Sequence, residues 1–149
     1  MTSKQQGFTL SELLLTVTIA AILLGVALPS FNNLIAESKL TSTTNALIGA
    51  LNLARSEAIE AGAQVTVEPV GGGGFQLRNL TTNAVLRTFD PPGDGVTITA
   101  SGAGVTYQAN GYRAFGSPEF TLEVCNNKNN GREITVATGG GVTVVEKSC

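Results

Sequence analysis

Any catalytic chemistry in this chain would have to come from hydroxyls, carboxylates and cations, because its 149 residues include no His and only two cysteines, Cys125 and Cys149. Without imidazole or a motif-bearing Lys, its many Ser and Thr hydroxyls have no activating base. Asp90, Asp94 and Glu119 lie among turn-forming residues, where carboxylates cap local backbone groups. Nothing in the sequence places one of them beside a base. The run Gly71–Gly74 invites comparison with a phosphate-binding loop, but no Gly-Lys-Ser/Thr follows and no helix is expected to begin there. A hairpin tip suits it better, as it does Gly139–Gly141. Two thiols without His make a poor metal site. The expectation is a protein that is not an enzyme and carries no cofactor or metal.

The remaining carboxylate of interest is Glu12, and its surroundings set the problem. From Leu13 to Ala36 there are 24 consecutive residues without a charge. At about 1.5 Å per helical residue they reach roughly across a bilayer core. Lys4, the apolar run and Gly25-Val26-Ala27 could also be a cleaved secretory signal. Against that stands Glu12, since a carboxylate carried toward the bilayer centre costs about 2.5–3.5 kcal/mol. Thr9-Leu10-Ser11-Glu12 fits a capping box, with Thr9 as N-cap and Glu12 reaching back to free backbone donors.

Beyond Pro29, which removes one helical hydrogen bond and predicts a kink or local melting, the helical pattern resumes. Leu40, Thr44, Leu47, Ile48, Leu51, Ala54 and Ala58 recur at spacings of three and four, as one apolar stripe. Gly62 is the stop signal. A helix from about Thr9 to Ala61 would be on the order of 80 Å long, more than a small head can cover. Its first half must find apolar company elsewhere. After Gly62 the pattern turns to short alternating runs, predicting strands at 64–68, 75–79, 85–89, 96–99, 119–124, 133–137 and 142–146. The interval 102–116 is either a hairpin or an irregular excursion. One antiparallel sheet over the helix's second half would bury both apolar faces.

The segment Gly7-Phe8-Thr9-Leu10-Ser11-Glu12-Leu13-Leu14 closely resembles the prepilin signature G-F-T-L-x-E-L-L, with Ser11 where an aliphatic residue is common. Leu51-Asn52-Leu53-Ala54-Arg55-Ser56-Glu57-Ala58 resembles the L-x-x-A-R-S-E-A segment of the GspH/FimT branch of type IV minor pilins and type II secretion pseudopilins. The resemblance implies an α+β type IV pilin fold: a long kinked N-terminal helix on an antiparallel sheet, with a C-terminal disulfide loop. It implies a leader of residues 1–7 cut by a prepilin peptidase between Gly7 and Phe8, with methylation of the Phe8 amine. Glu12 then stands where the family pairs a Glu with a neighbouring subunit's terminal amine, and Pro29 where it carries a helix Pro. A buried carboxylate and a buried ammonium, each costly alone, become tolerable together.

Residues 8–36 are thereby expected to span the membrane or form the filament core, and 37–149 to form a periplasmic head. The expected location is the bacterial inner membrane, single-pass. Expected partners are membrane lipid, the inner-membrane assembly platform and other major and minor pilins or pseudopilins. An exported head would meet an oxidising compartment, where a Cys125–Cys149 bridge contributes roughly 3–4 kcal/mol by chain-entropy reasoning.

The favoured function is a structural minor pilin in pilus assembly or priming, at or near the tip; the alternative is a pseudopilin in type II secretion. A further alternative is DNA binding in natural transformation, through the G-R-x-R motif of some FimT-like members. Here only Arg132 matches, because Ile134 takes the second basic place, and Lys128 and Lys147 could add to a small patch. The formal net charge of −2, with 9 basic against 11 acidic residues, gives no broad pull toward nucleic acid. Arg55 and Glu57 allow two kinds of role, a solvated helix face or a part in head packing or subunit contact.

Overall fold

The computed structural model describes residues 8–115 and 119–149, apart from the side chains of Val26, Leu28 and Pro29. The leader 1–7 with Gly7, and the Pro29 ring on which the kink expectation rests, lie outside the described residues. Helix α1 runs from Leu10 to Ala61. Its start is the expected capping box: the Thr9 N–H donates to Glu12 Oε2 (2.9 Å), and the Glu12 N–H donates to Thr9 Oγ1 (3.3 Å). Its end is a Schellman motif on Gly62 at φ +58. There the Ala63 N–H reaches Ala58 O (3.2 Å) and the Gly62 N–H reaches Ile59 O (3.4 Å).

The chain divides into two compact units, one up to Ile35 and one from Ala36 to Cys149. In the first, Phe8, Leu10, Leu13, Leu14, Leu15, Val17, Ile19, Ile22, Leu23, Leu24, Phe31, Leu34 and Ile35 are all exposed. α1 is the one helix among the described residues long and apolar enough to cross a membrane.

In the second unit, eight strands follow: β1 Val65–Val70, β2 Gly74–Asn79, β3 Val85–Phe89, β4 Val96–Ala100, β5 Val105–Tyr107, β6 Phe120–Asn126, β7 Asn130–Val136 and β8 Val142–Ser148. They pair antiparallel as two four-stranded sheets rather than the single sheet expected, in the orders β3-β2-β1-β5 and β4-β6-β7-β8. From within the interval 102–116, Val105–Tyr107 forms a short fifth strand at the edge of the first sheet beside β1, with Val67 opposite Val105 and Val65 opposite Tyr107.

One core joins the helix to both sheets. Leu40, Leu47, Leu51, Ala54 and Ala58 from the expected stripe, with Ala50, meet Val65, Val67, Phe75, Leu77, Val105, Tyr107, Leu122, Val124, Ile134 and Val136. Thr44 sits inside the stripe because its hydroxyl donates to Leu40 O (2.7 Å), satisfying itself on its own helix.

Strand ends differ from expectation where side chains build the turns. Asn126 Oδ1 accepts the N–H groups of Lys128 (2.8 Å) and Asn130 (3.1 Å), and Asn129 takes φ +62, so β6 and β7 run right up to a tight turn. β7 therefore starts at Asn130, three residues before the alternating pattern shows it. Gly71–Gly73 forms the tight turn between β1 and β2, with Gly72 at φ +85 and Gly73 at φ +90.

Tyr107 is wholly buried, and its Oη has no hydrogen-bond partner among the described residues. Burial pushes its phenol up to about 12, while the nearby Arg55 cation pulls it partly back. A raised folded pKa stabilises below the unfolded value of about 10 and is lost as pH climbs through the folded value. Lys147, raised by hydrogen bonds to Glu123 and Glu133, adds an effect of the same sign. Tyr107→Phe is therefore expected to be neutral, or stabilising by up to about 1 kcal/mol, at pH 7, because it removes an unsatisfied buried hydroxyl. It should also flatten the loss of stability between pH ~10 and ~12 in denaturant titrations.

Candidate functional site

The expected assembly residues gather at the start of α1. Phe8 is fully described and exposed, and Thr9 anchors the Glu12 carboxylate through both its N–H and its hydroxyl, the latter donating to Oε2 at 2.8 Å. Both bonds fall on one oxygen. Glu12 is exposed among leucines with no cation beside it among the described residues, where its charge is shared with local dipoles.

The second constellation lies where β6, β7 and β8 meet. Cys125 on β6 is bonded to Cys149 just past β8, with Cα atoms 6.1 Å apart and a sequence separation of 24. The bridge crosses over β7 at Gly131, which pairs with Cys125 on one side and Lys147 on the other. A Cβ at Gly131 would collide with Cys149 Sγ and come within 3.3 Å of Cys125 Sγ. The Gly of Gly-Arg is thus required by the disulfide, a role the sequence did not reveal.

The three residues considered for DNA do not form an open basic patch. Arg132 Nη2 donates to Glu37 Oε1 on α1 (3.0 Å), with Glu146 directly across the strands. Lys147 donates to Glu133 Oε2 (3.0 Å) and also to Glu123, clamping β8 across β7 to β6. Lys128 is exposed at the β6–β7 turn. Elsewhere, Lys39 donates to Asp94 O, Arg78 pairs with Glu68, Arg87 lies over the Phe89 ring, and Arg113 is also engaged. Phosphate binding needs several cations neutralising phosphates together. Here Arg78, Arg132 and Lys147 are already paired with carboxylates within the head, and Lys39 and Arg55 are held by backbone carbonyls.

Arg55, from the Ala-Arg-Ser-Glu-Ala segment, is half-buried and donates from Nη2 to Gly139 O (3.3 Å). Of its two expected roles, the packing contact is the one observed. The Arg78 and Gln76 side chains donate to Glu68 and hold its carboxyl below the usual carboxylate range, despite slight burial. That lowered pKa stabilises above the unfolded value near 4.3 and is lost as pH falls through the folded value. Among the described residues, no group of three His, Cys, Asp or Glu could hold a metal ion.

Gly131→Ala is expected to prevent bridge formation, while Gly139→Ala, whose Cβ meets nothing within 4 Å, should leave it intact. Free-thiol alkylation read by mass spectrometry separates the two variants. Gly131→Ala should also lower the head's unfolding free energy by about 3–4 kcal/mol, the contribution of closing such a loop.

Comparisons with known proteins fit these features. The profile of the family described as type II transport protein GspH matches residues 43–140, and that of the prokaryotic N-terminal methylation motif matches residues 2–28. A comparison with curated proteins gave no match. Among solved structures, the chain is similar to the Pseudomonas aeruginosa type IV minor pilin FimU. In one crystal form the identity is 23%, with 73% of this chain and 90% of that chain covered and a TM-score of 0.64. A second crystal form gives 24% identity, 71% and 92% coverage, and a TM-score of 0.59. The minor pseudopilin EpsH of the Vibrio cholerae type 2 secretion system shares 14% identity, with 72% and 96% covered and a TM-score of 0.57. These likenesses give the type IV pilin fold. With an apolar N-terminal helix, a methylation motif and a GspH profile over most of its length, the chain belongs to the GspH family of type IV minor pilins and pseudopilins.

Proposed function

We propose that this protein is a structural minor pilin of a type IV pilus. It enters the inner membrane as a prepilin with its head in the periplasm, is cut between Gly7 and Phe8, and is methylated on the Phe8 amine. It then joins other pilins at or near the filament tip. The observation that supports this most is the stretch Phe8–Ile35. Its described large apolar side chains are exposed, its one charge is Glu12, and it overlaps the methylation-motif match. Such a helix is stable only where lipid or other apolar helices surround it.

Glu12 supplies the order of events. Among the described residues only its Oε2 takes bonds, two from Thr9, and the carboxylate's second oxygen is the one we assign to an incoming donor. Cleavage before Phe8 creates an ammonium, and a neighbouring subunit's ammonium meeting Glu12 lets both charges enter the filament core as a pair. The leader peptidase and the inner-membrane assembly platform are the partners this route requires. A second reading, a pseudopilin of type II secretion, draws on the family's description as a type II transport protein. Deleting the gene distinguishes them: loss of pili with secretion intact supports the first, and the reverse supports the second.

Mass spectrometry of the mature protein should find a chain beginning at Phe8 and heavier by one methyl group. Glu12→Gln should fold its head normally yet be lost from sheared filaments while remaining in the membrane fraction. A mature chain starting beyond Leu28, or unimpaired incorporation of Glu12→Gln, contradicts the scheme.

A further inference from the structure

Two aromatic rings lie outside the core on one loop, and the loop is held in place unusually firmly. Between β5 and β6, the Gly111 N–H donates to Gln108 O (2.8 Å), the Gln108 N–H to Tyr112 O (2.9 Å) and the Ala114 N–H to Thr106 O (2.8 Å). The Arg113 N–H donates to Thr138 O (3.1 Å), tying this loop to the β7–β8 turn. At the junction Gly111 has φ +77 and Gly140 φ +78. A Cβ on Gly111 would lie 2.8 Å from Ile59 Cδ1 and 3.2 Å from Arg55 Nε, and one on Gly140 would collide with Gly111 O. The two loops interlock over Arg55 because neither carries a side chain there.

The brace holds Tyr112, 55% exposed, and Phe115, 100% exposed, follows directly after its last member, Ala114, beside a cleft of about 380 Å³. Gln108, Asn110, Arg113, Ala114 and Thr138 are its other described lining residues. We propose that the cleft binds a saccharide, with a pyranose ring stacked on Tyr112 and Phe115 and its hydroxyls bonded by the Gln108 and Asn110 amides and the Thr138 hydroxyl.

The chemistry selects that class. A pyranose offers an apolar C–H face and a rim of hydroxyls, and the cleft supplies an aromatic platform beside neutral groups that both donate and accept. Among the described residues no carboxylate lines it to attract a cation, and its one charged side chain, Arg113, is already engaged within the head. The Asn110 amide is set in orientation because its Oδ1 accepts the Tyr112 N–H (3.1 Å). A cleft of this size matches a small ligand of one or two rings rather than a flat protein neighbour. Arg55 acts as a positioning residue, holding the floor of the loop without lining the cleft.

The test is an NMR titration of the full chain in a zwitterionic detergent free of sugar, with cellobiose and N,N'-diacetylchitobiose as probes and glycerol as control. The expected result is a saturable shift of the Tyr112 and Phe115 ring resonances with a millimolar dissociation constant. Tyr112→Ala and Phe115→Ala should each weaken binding by about tenfold, and Phe115→Tyr should preserve it. Arg55→Ala should weaken binding too, through the loop. Tighter binding of the chitobiose assigns an N-acetylated glycan and tighter binding of cellobiose an unacetylated one; either supports the site. Shifts that glycerol reproduces, or saturable binding that survives Tyr112→Ala/Phe115→Ala with the Tyr107 resonances unchanged, overturn it.

Discussion

A single carboxylate at the edge of an uncharged helix is the constraint around which this protein is arranged. A helix apolar on every side has no stable place in water, and the exposed side chains from Phe8 to Ile35 require lipid or protein around them. Glu12 cannot follow those residues into an apolar medium uncompensated. Thr9 compensates it partly, through its N–H, which also belongs to the capping box, and through its hydroxyl. One feature thus serves two needs: it fixes where the helix begins, and it holds the carboxylate that the proposed assembly would pair with a neighbour's amine.

The head solves a different problem, that of holding β8. That strand contributes Val142 to the margin of the core, while Val144, Val145 and the residues after them are exposed. Apolar burial therefore does little to keep β8 in place. What does so is a seven-residue ladder to β7, the Lys147 clamp reaching β6, and the Cys125–Cys149 bridge over Gly131. Covalent closure suits a strand with little to bury, since the bridge acts mainly by restricting the unfolded chain rather than by adding contacts. Gly131 gives up its side chain so that the bridge can pass.

Much of this was legible in the sequence where a residue's role is local. Thr9 and Glu12 declare a capping box, Gly62 a helix stop, and the three-and-four spacing from Leu40 to Ala58 a buried stripe, because each depends on neighbours within a turn or two. The strands were visible where inward residues alternate. What escaped depends on contacts distant in sequence. Val105–Tyr107 is too short to show a period, and it joins a sheet only through β1, about 40 positions earlier. The early start of β7 is written in Asn126, a side chain that replaces two backbone partners. Gly131 and Gly140 are required by atoms from Cys149 and Gly111, and no local pattern reports such approaches.

The cations show the same limit with greater consequence for function. Arg132 in a Gly-Arg motif, or Arg55 in Ala-Arg-Ser-Glu-Ala, reads in isolation as a group awaiting a partner. The fold supplies that partner from within: Glu37 for Arg132, the Gly139 carbonyl for Arg55, and Glu123 with Glu133 for Lys147. Only Lys128 among the described cations from Lys39 onward has no such intramolecular contact. With its other cations held by such contacts and a formal net charge of −2 on the chain, the head offers no broad positive field for a polyanion. That favours recognition through shape, aromatic surface and hydrogen bonding, and makes the braced loops around Arg55 a more telling part of the head than its basic residues.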